Sequence, residues 1–253
     1  MSGFRNKTVL ITGASSGIGL QTALAFAKDG ANVILYARRA EKLSAVCDEI
    51  RAAGGSAIAV AGDVSSAQDL EKACSMGAER FGSLDILVNN AGVDDGHAAA
   101  VRCTDENWEN NITINEKGVF LGCRAALQQM EKTGNGSIIN ISSIGGRYAV
   151  AGVAYSAAKY AVIGLTKNIA IQYAGTGIRC NCVCPGPVRT DMLKPPSPEN
   201  TDMEMLELTG RHIDKSVPFL KPQDIVNAIL FFADDASIRI TGQCLVVDGG
   251  RCL

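Results

Sequence analysis

Thr8-Val-Leu-Ile-Thr-Gly13-Ala-Ser-Ser-Gly17-Ile-Gly19 decides the reading of this chain. Its first five residues, with Val9-Leu10-Ile11 continuously apolar, read as a strand buried on both faces, and a helical pattern follows over 18–29. A strand that feeds a glycine-rich turn into a helix N-terminus is an anion site. The glycines let the backbone approach closely, and unpaired N–H groups together with the helix dipole meet a diphosphate. The spacing Gly-x-x-x-Gly-x-Gly is one residue longer than the commoner dinucleotide fingerprint. Its place in the first βα unit points to a dinucleotide site built from Gly13, Ser15, Ser16, Gly17, Ile18 and Gly19.

Outward from this turn, short β-branched runs alternate with longer helical patterns. Strands are expected over 8–12, 32–37, 57–61, 85–89, 137–142, 178–183 and 244–247, and helices over 18–29, 40–53, 67–81, 105–132, 153–174 and 222–233. Such alternation predicts the α/β class: right-handed βαβ units forming one seven-stranded parallel sheet, doubly wound, with helices on both faces. No composition break, internal repeat or low-complexity tract divides the chain, so residues 1–253 read as a single domain. The irregular stretch is 193–218, where Pro195, Pro196, Pro198 and Pro218 enclose a short helical candidate over 202–208. Loops this long inside a domain are usually lids or binding segments, and Met192, Met203, Met205, Leu206 and Leu208 would suit an apolar substrate. A surface insertion packing its own apolar residues is the competing reading.

Composition removes several function classes. With 47% apolar and 20% charged residues the chain is an ordered globular protein, and a net charge of −2 gives no basic excess for a phosphate backbone. A 5% aromatic share with one tryptophan, Trp108, also speaks against a stacking platform for bases. Nine scattered cysteines and an opening Met-Ser-Gly-Phe-Arg-Asn-Lys without a signal peptide point to a reducing cytoplasm. Cys180, Cys182 and Cys184 fall on one face of a strand, where packing as small hydrophobes is favoured over metal ligation; His97 and His212 are far away in sequence. The most apolar long stretch, 153–174, carries Lys159, Lys167, Asn168 and Gln172 and does not read as a membrane span.

Polar residues gather at the ends of the expected strands, where open α/β sheets bind ligands. After the second strand stands Tyr36-Ala37-Arg38-Arg39, with no carboxylate to repel a 2′-phosphate. Two guanidinium groups at a helix start conflict with the dipole unless an anion joins them, which favours NADP over NAD; a solvated basic helix end is the alternative. Tyr155 and Lys159 lie one helical turn apart, and an ammonium beside a phenol lowers the phenol's pKa toward general acid/base use. By itself such a pair is common. Combined with Asn89-Asn90-Ala91-Gly92, Ser142 and Pro185-Gly-Pro-Val188-Arg-Thr190, it gives a chain that resembles the short-chain dehydrogenase/reductase family, single-domain form, over essentially its whole length.

The resemblance implies a Rossmann-type sheet and hydride transfer between a nicotinamide and a ketone or secondary alcohol. It implies Tyr155 as the proton donor or acceptor, Lys159 as the residue that holds the nicotinamide ribose, and Ser142, thirteen residues before Tyr155, as the donor to the substrate oxygen. Asn115 matches the family's fourth catalytic position, Asp63-Val64 the adenine contact, Asn90 and Gly92 the stretch beside the cofactor ribose, and Val188 and Thr190 the carboxamide contacts. Ser16 stands where some NADP-preferring members carry a basic residue, so the 2′-phosphate would rest on Arg38 and Arg39. The substrate expected from the 147–153 wall, with Arg147 as an anion anchor, and from the Met-rich segment is a bile-acid-type hydroxysteroid. A 3-oxoacyl-[acyl-carrier-protein] reductase, weakened by Lys132 being the one basic residue at the usual docking positions, and a sugar or polyol dehydrogenase are the alternatives. A non-catalytic NADP-binding sensor is the rival from another class. The helix over 153–174 is apolar nearly all round, which asks for a partner subunit, and the family commonly forms homotetramers; a homodimer is the smaller option.

Overall fold

The computed structural model describes residues 3–193 and 195–253. Met1, Ser2 and Lys194, the last inside the irregular 193–218 stretch, lie outside them. Strands β1 (Thr8–Thr12), β2 (Asn32–Ala37), β3 (Ser56–Ala61), β4 (Ile86–Asn89), β5 (Gly136–Ile141), β6 (Ile178–Pro185) and β7 (Cys244–Val247) form one sheet in the order β3-β2-β1-β4-β5-β6-β7. Every pairing is parallel. The helices are α1 (Gly17–Lys28), α2 (Ala40–Ala52), α3 (Ala67–Phe81), α4 (Asp105–Asn111), α5 (Gly118–Thr133), α6 (Gly145–Tyr148), α7 (Val153–Gln172), α8 (Met203–Thr209) and α9 (Pro222–Ala233). The doubly wound fold expected from the alternation is the fold observed.

Alternation along each strand sorts the core into two layers. Val9, Ile11, Val33, Leu35, Val88, Ile139 and Val183 pack with Phe26 of α1, Leu43 and Ile50 of α2, and Ile225 and Ile229 of α9. Leu10, Ile34, Leu87, Ile138 and the three thiols of Cys180, Cys182 and Cys184 pack on the opposite face with Leu70 of α3, Val119 of α5 and Val162 of α7. The three cysteines therefore share one face, as their spacing requires, and all are buried and free. Among the described residues no three His, Cys, Asp or Glu side chains are grouped to hold a metal ion. Among the same residues no helix is long and apolar enough to cross a membrane.

One expected element differs. The helix over 105–132 is interrupted by a π-helical turn at Ile112–Lys117, between α4 and α5. A single extra residue per turn leaves the apolar periodicity on either side intact, so the pattern reads as one helix while the backbone contains two. The strand order reverses between β1 and β4, and the C-terminal ends of β1, β4, β5 and β6 open on one crevice there.

Candidate active site

The first half of the crevice is a cradle around the β1–α1 turn. Gly13 and Gly17 hold φ of +69° and +57°, and a Cβ on Gly19 would lie 2.4 Å from the Gly13 carbonyl oxygen, so the turn is open to glycine alone. Asn90 ties the end of β4 to this turn: its side-chain amide donates to the Thr12 carbonyl at 3.0 Å, and Thr12 Oγ1 accepts from the Asn90 and Ala91 N–H groups at 3.0 and 3.1 Å. Asn90 thus builds the floor of the crevice with its side chain. Ser16 is the N-cap of α1, but its hydroxyl makes no capping bond and accepts instead from Arg39 Nη2 at 3.1 Å. Ser15 Oγ accepts from the same nitrogen at 2.8 Å. Amides in the first turn of α1 are left without a capping side chain, beside a guanidinium, and that donor set fits a diphosphate.

The adenosine side is equally built. Tyr36 donates its hydroxyl to the Asp63 carbonyl at 2.9 Å, and the Asp63 carboxylate accepts from the Ser65 N–H and hydroxyl at 2.9 and 2.8 Å. Those bonds, with Arg38 adding its charge, hold the Asp63 carboxyl below the usual range. Arg38, Asp63, Ser65, Asn107 and Thr113 line an open cleft. Val64 packs where a Cβ on Gly118, the first residue of α5, would lie 3.0 Å from it. On the far side, buried Val188 bridges to Leu220, and the Thr190 side chain stands 3.3 Å from where a Gly17 Cβ would be. Of the residues expected to touch the cofactor, Ile18 packs against the core layer under α1, and the others named above stand around this crevice.

The second half is carried by α7. Lys159 is 3% exposed; its Nζ donates to the Ile141 carbonyl at 3.0 Å and lies 5.6 Å from the centroid of the Tyr155 ring. Burial lowers the ammonium to about 8. A Cβ on Gly92 would lie 2.9 Å from Asn115 Oδ1 and 3.5 Å from Lys159 Nζ, so Gly92 is the point where three candidate residues converge. Asn115 is fully buried in the π turn. Its side chain is bonded at both ends to Val93, accepting at 3.0 Å and donating at 2.9 Å, and donates to Asn111 Oδ1 at 2.8 Å.

Two expectations need correction. First, the Tyr155 phenol is not lowered by its lysine. Burial pushes it up to about 12, the Ser143 hydroxyl bonded to it opposes the rise, and the charges of Asp94 and Asp95 add to it. Lys159 points its hydrogen bond at the Ile141 carbonyl rather than at the phenol, so burial wins. Second, Ser142 does not face the phenol. It is 2% exposed and donates to the Lys159 carbonyl at 2.7 Å, beneath α7. Ser143 stands at Tyr155 instead, its Oγ also accepting from the Gly145 N–H at 3.0 Å. The parity of β5 carries the signal that the thirteen-residue spacing hides: Ile138, Asn140 and Ser142 all point to the α7 layer, Asn140 by a 3.0 Å bond to Thr166.

Asp95 is a further residue that the sequence reading passes over. It is 4% exposed, its carboxylate accepting from the Tyr155 N–H at 2.9 Å. At the rim, α8 is capped by Asp202, which accepts from Met205 N–H at 3.2 Å and from Ala99 N–H at 3.0 Å. Arg102 clasps the same carboxylate with two bonds of 2.7 and 3.0 Å and reaches Glu204 at 3.0 Å. The other end of the segment is held by the C-terminal tail, where the Asp214 N–H donates to the Arg251 carbonyl at 2.8 Å and Arg251 Nη1 donates to the Val217 carbonyl. Met203 and Leu208 are exposed between these anchors, Met205 and Leu206 half-buried. Arg147, on the short α6, is exposed, and its charge acts on the Cys244 thiol of β7, not on Tyr155.

Known proteins arrange their chains the same way. A family profile described as short chain dehydrogenase matches residues 7–201. The (2S)-[(R)-hydroxy(phenyl)methyl]succinyl-CoA dehydrogenase subunit BbsD of Thauera aromatica is 38% identical over 254 residues, 99% of this chain and 98% of its own. The 3-oxoacyl-[acyl-carrier-protein] reductase FabG of Thermotoga maritima is 38% identical over 247 residues, 96% and 97% of the two chains. Among solved structures, an actinorhodin polyketide ketoreductase with NADPH superimposes with a TM-score of 0.83 at 34% identity, covering 96% of each chain. With this profile, these relatives and the doubly wound sheet in hand, the chain belongs to the short-chain dehydrogenase/reductase family, as an oxidoreductase of ketones and CH–OH groups.

Proposed function

We propose that the chain, as one domain over residues 1–253, reduces the ketone of a 3-oxoacyl thioester with NADPH. The observation that carries the reading is the half-buried Tyr155, whose phenol keeps its proton through the neutral range, bonded to Ser143 and flanked by Lys159. Such a phenol is a proton donor, the role that ketone reduction needs. NADPH, when bound, supplies the hydride. Arg38 and Arg39 hold its 2′-phosphate, the turn from Gly13 to Gly19 its diphosphate, Lys159 its nicotinamide ribose, and Val188 and Thr190 its carboxamide.

The chain's own part is proton delivery and orientation. The substrate ketone oxygen accepts hydrogen bonds from the Tyr155 and Ser143 hydroxyls, which stabilise the charge that develops on it. Tyr155 passes its proton to that oxygen as the carbon is reduced, leaving a phenolate. Lys159, whose ammonium titrates near neutrality, stabilises that phenolate, and Asn115 in the π turn holds the buried side of the path by which the proton returns.

The substrate class rests on the relatives: two are named for acyl thioesters, one on coenzyme A and one on a carrier protein, and none of those described is named for a steroid. The 3-oxoacyl reading therefore takes the place of the hydroxysteroid. Phe120 on α5, and Tyr160 and Ile171 on α7, leave apolar surface exposed that a second copy of the chain would cover, as a homodimer or homotetramer, which light scattering measures. Nine free thiols suit a reducing compartment such as the cytoplasm.

The test is turnover of purified protein with NADPH and with NADH on a 3-oxoacyl-CoA, a 3-oxoacyl carrier protein, hydroxysteroids and polyols, beside Tyr155→Phe. Thioester reduction lost in the variant is expected, and the better thioester tells coenzyme A from carrier protein. Turnover confined to steroids or polyols would refute the thioester, and tight NADPH binding with no turnover on any ketone or alcohol would favour the sensor.

A further inference from the structure

Helix α7 begins without a capping side chain of its own. Gly152 is its N-cap, and the Tyr155 N–H, in the first turn, is bonded to a carboxylate from another part of the chain. That carboxylate belongs to Asp95, on the loop after β4. Its Oδ2 accepts from Tyr155 at 2.9 Å and its Oδ1 from the His97 N–H at 3.0 Å. A Cβ on Gly152 would lie 2.3 Å from both oxygens, so the approach requires glycine at that position. The Asp95 carbonyl accepts from the Asn107 side chain at 2.9 Å, and Asn107 is bonded through Asn111 to Asn115 in the π turn. One residue thereby joins the loop bordering the cofactor cradle, the π turn and the backbone of the proton donor.

We propose that Asp95 is a positioning residue for the reduction: its carboxylate caps α7 from across the site and fixes the Tyr155 phenol against the loop after β4. The inference rests on the reductase reading above. Burial raises the Asp95 carboxyl, while the two N–H donors and the helix dipole favour its ionised form. Charged and titratable groups facing the Tyr155 ring are Lys159 on its own helix and Asp94 and Asp95 from the loop after β4; His97 faces Asp95, and the neutral Ser143 hydroxyl completes the surround. Both aspartates favour the protonated phenol, so they widen the alkaline range over which Tyr155 serves as an acid.

Three variants separate position from charge. Asp95→Asn keeps one acceptor and removes the charge. Asp94→Asn removes the neighbouring charge without touching α7. The double variant Asp95→Ala/Gly152→Ser moves the cap onto α7 itself, at a position whose φ of −69° and ψ of 167° any residue adopts. Asp95→Asn is expected to lower kcat about ten-fold at nearly constant KM. The alkaline limb of its reductive pH profile should move down by about one pH unit. Asp94→Asn should move the limb and leave kcat below it intact, and the double variant should regain the melting temperature but neither kcat nor the limb. All three should bind NADPH as the unchanged protein does, read by cofactor fluorescence. A double variant that regains kcat and the limb reduces Asp95 to a helix cap and overturns the proposal, as does an Asp95→Asn enzyme with both unchanged. Near-ultraviolet titration of the phenol, taken as the difference between each protein and its Tyr155→Phe counterpart, needs no turnover. A chain inactive on every ketone that still shows the shift would refute the reductase reading while leaving the Asp95–Tyr155 link standing.

Discussion

Exchanging one serine at a time after β5 separates two neighbours that the sequence makes look equivalent. In the proposed reduction, Ser143→Ala removes a donor aimed at the oxygen on which charge develops. Loss of one such donor costs about 2.7–4 kcal/mol in the transition state, so kcat should fall roughly 10²–10³-fold. Its remaining bond, from the Gly145 N–H at 3.0 Å, lies in a partly exposed turn, and the melting temperature should barely move. Ser142→Ala does the opposite. It deletes a fully buried 2.7 Å bond to the Lys159 carbonyl, worth about 1 kcal/mol, for a melting shift of about 2–4 °C in a chain of this size. Its kcat should stay within a few-fold. The assay is NADPH consumption on a 3-oxoacyl thioester, paired with calorimetry of each variant. A Ser142→Ala enzyme reduced by a hundred-fold beside a nearly normal Ser143→Ala would refute the assignment and restore the thirteen-residue spacing as the better guide.

Other outcomes follow from the cradle and from the buried lysine. Gly19→Ala places a methyl 2.4 Å from a backbone oxygen, so the turn must shift and NADPH affinity should fall at least about ten-fold with the sheet intact, by fluorescence titration and circular dichroism. Arg38→Ala should cut the preference for NADPH over NADH by about 10–100-fold, the loss of charge-assisted bonds of about 1.5–3 kcal/mol, with kcat unchanged; equal loss for both cofactors would contradict its place at the 2′-phosphate. Burial lowers Lys159 from 10.5 to about 8, so between those values the unfolded chain binds the extra proton and stability rises with pH. Lys159→Met should therefore be the more stable protein below pH 8, by up to about 3 kcal/mol, with the gap closing toward pH 10.5 in urea titrations; a gap independent of pH would show that the lysine is not buried as a cation.

The fold was legible because its signals are local and repeated. Val9-Leu10-Ile11, Ile86-Leu87-Val88 and Ile138-Ile139 announce doubly buried strands, and Gly13, Gly17 and Gly19 announce the turn that only glycine can form. What stayed hidden depends on phase or on distance in sequence. The π turn at Ile112–Lys117 changes phase by one residue without disturbing the apolar pattern on either side. Ser142 and Ser143 differ by the direction in which consecutive side chains leave a strand, which spacing to a distant helix does not encode. Asp95 meets Tyr155 sixty positions away, through a gap left by Gly152, and neither residue suggests the other until the chain is folded. Arg147, adjacent to the site in sequence, is carried on the short α6 with its side chain exposed.

The segment bearing Met203, Met205, Leu206 and Leu208 is fixed at one end by Asp202 with Arg102 and at the other by backbone bonds to the C-terminal tail. None of these four side chains supplies an anchor. If the segment borders the substrate, as its sequence leads one to expect, a library randomised at those positions samples new substrate shapes on an unchanged scaffold, whereas a library that included Asp202 or Arg251 would mix altered selectivity with a loosened frame. On that reading, lineages that diverge in substrate while keeping the chemistry would accumulate their differences between the anchors, and directed evolution toward a bulkier ketone would have its shortest route there.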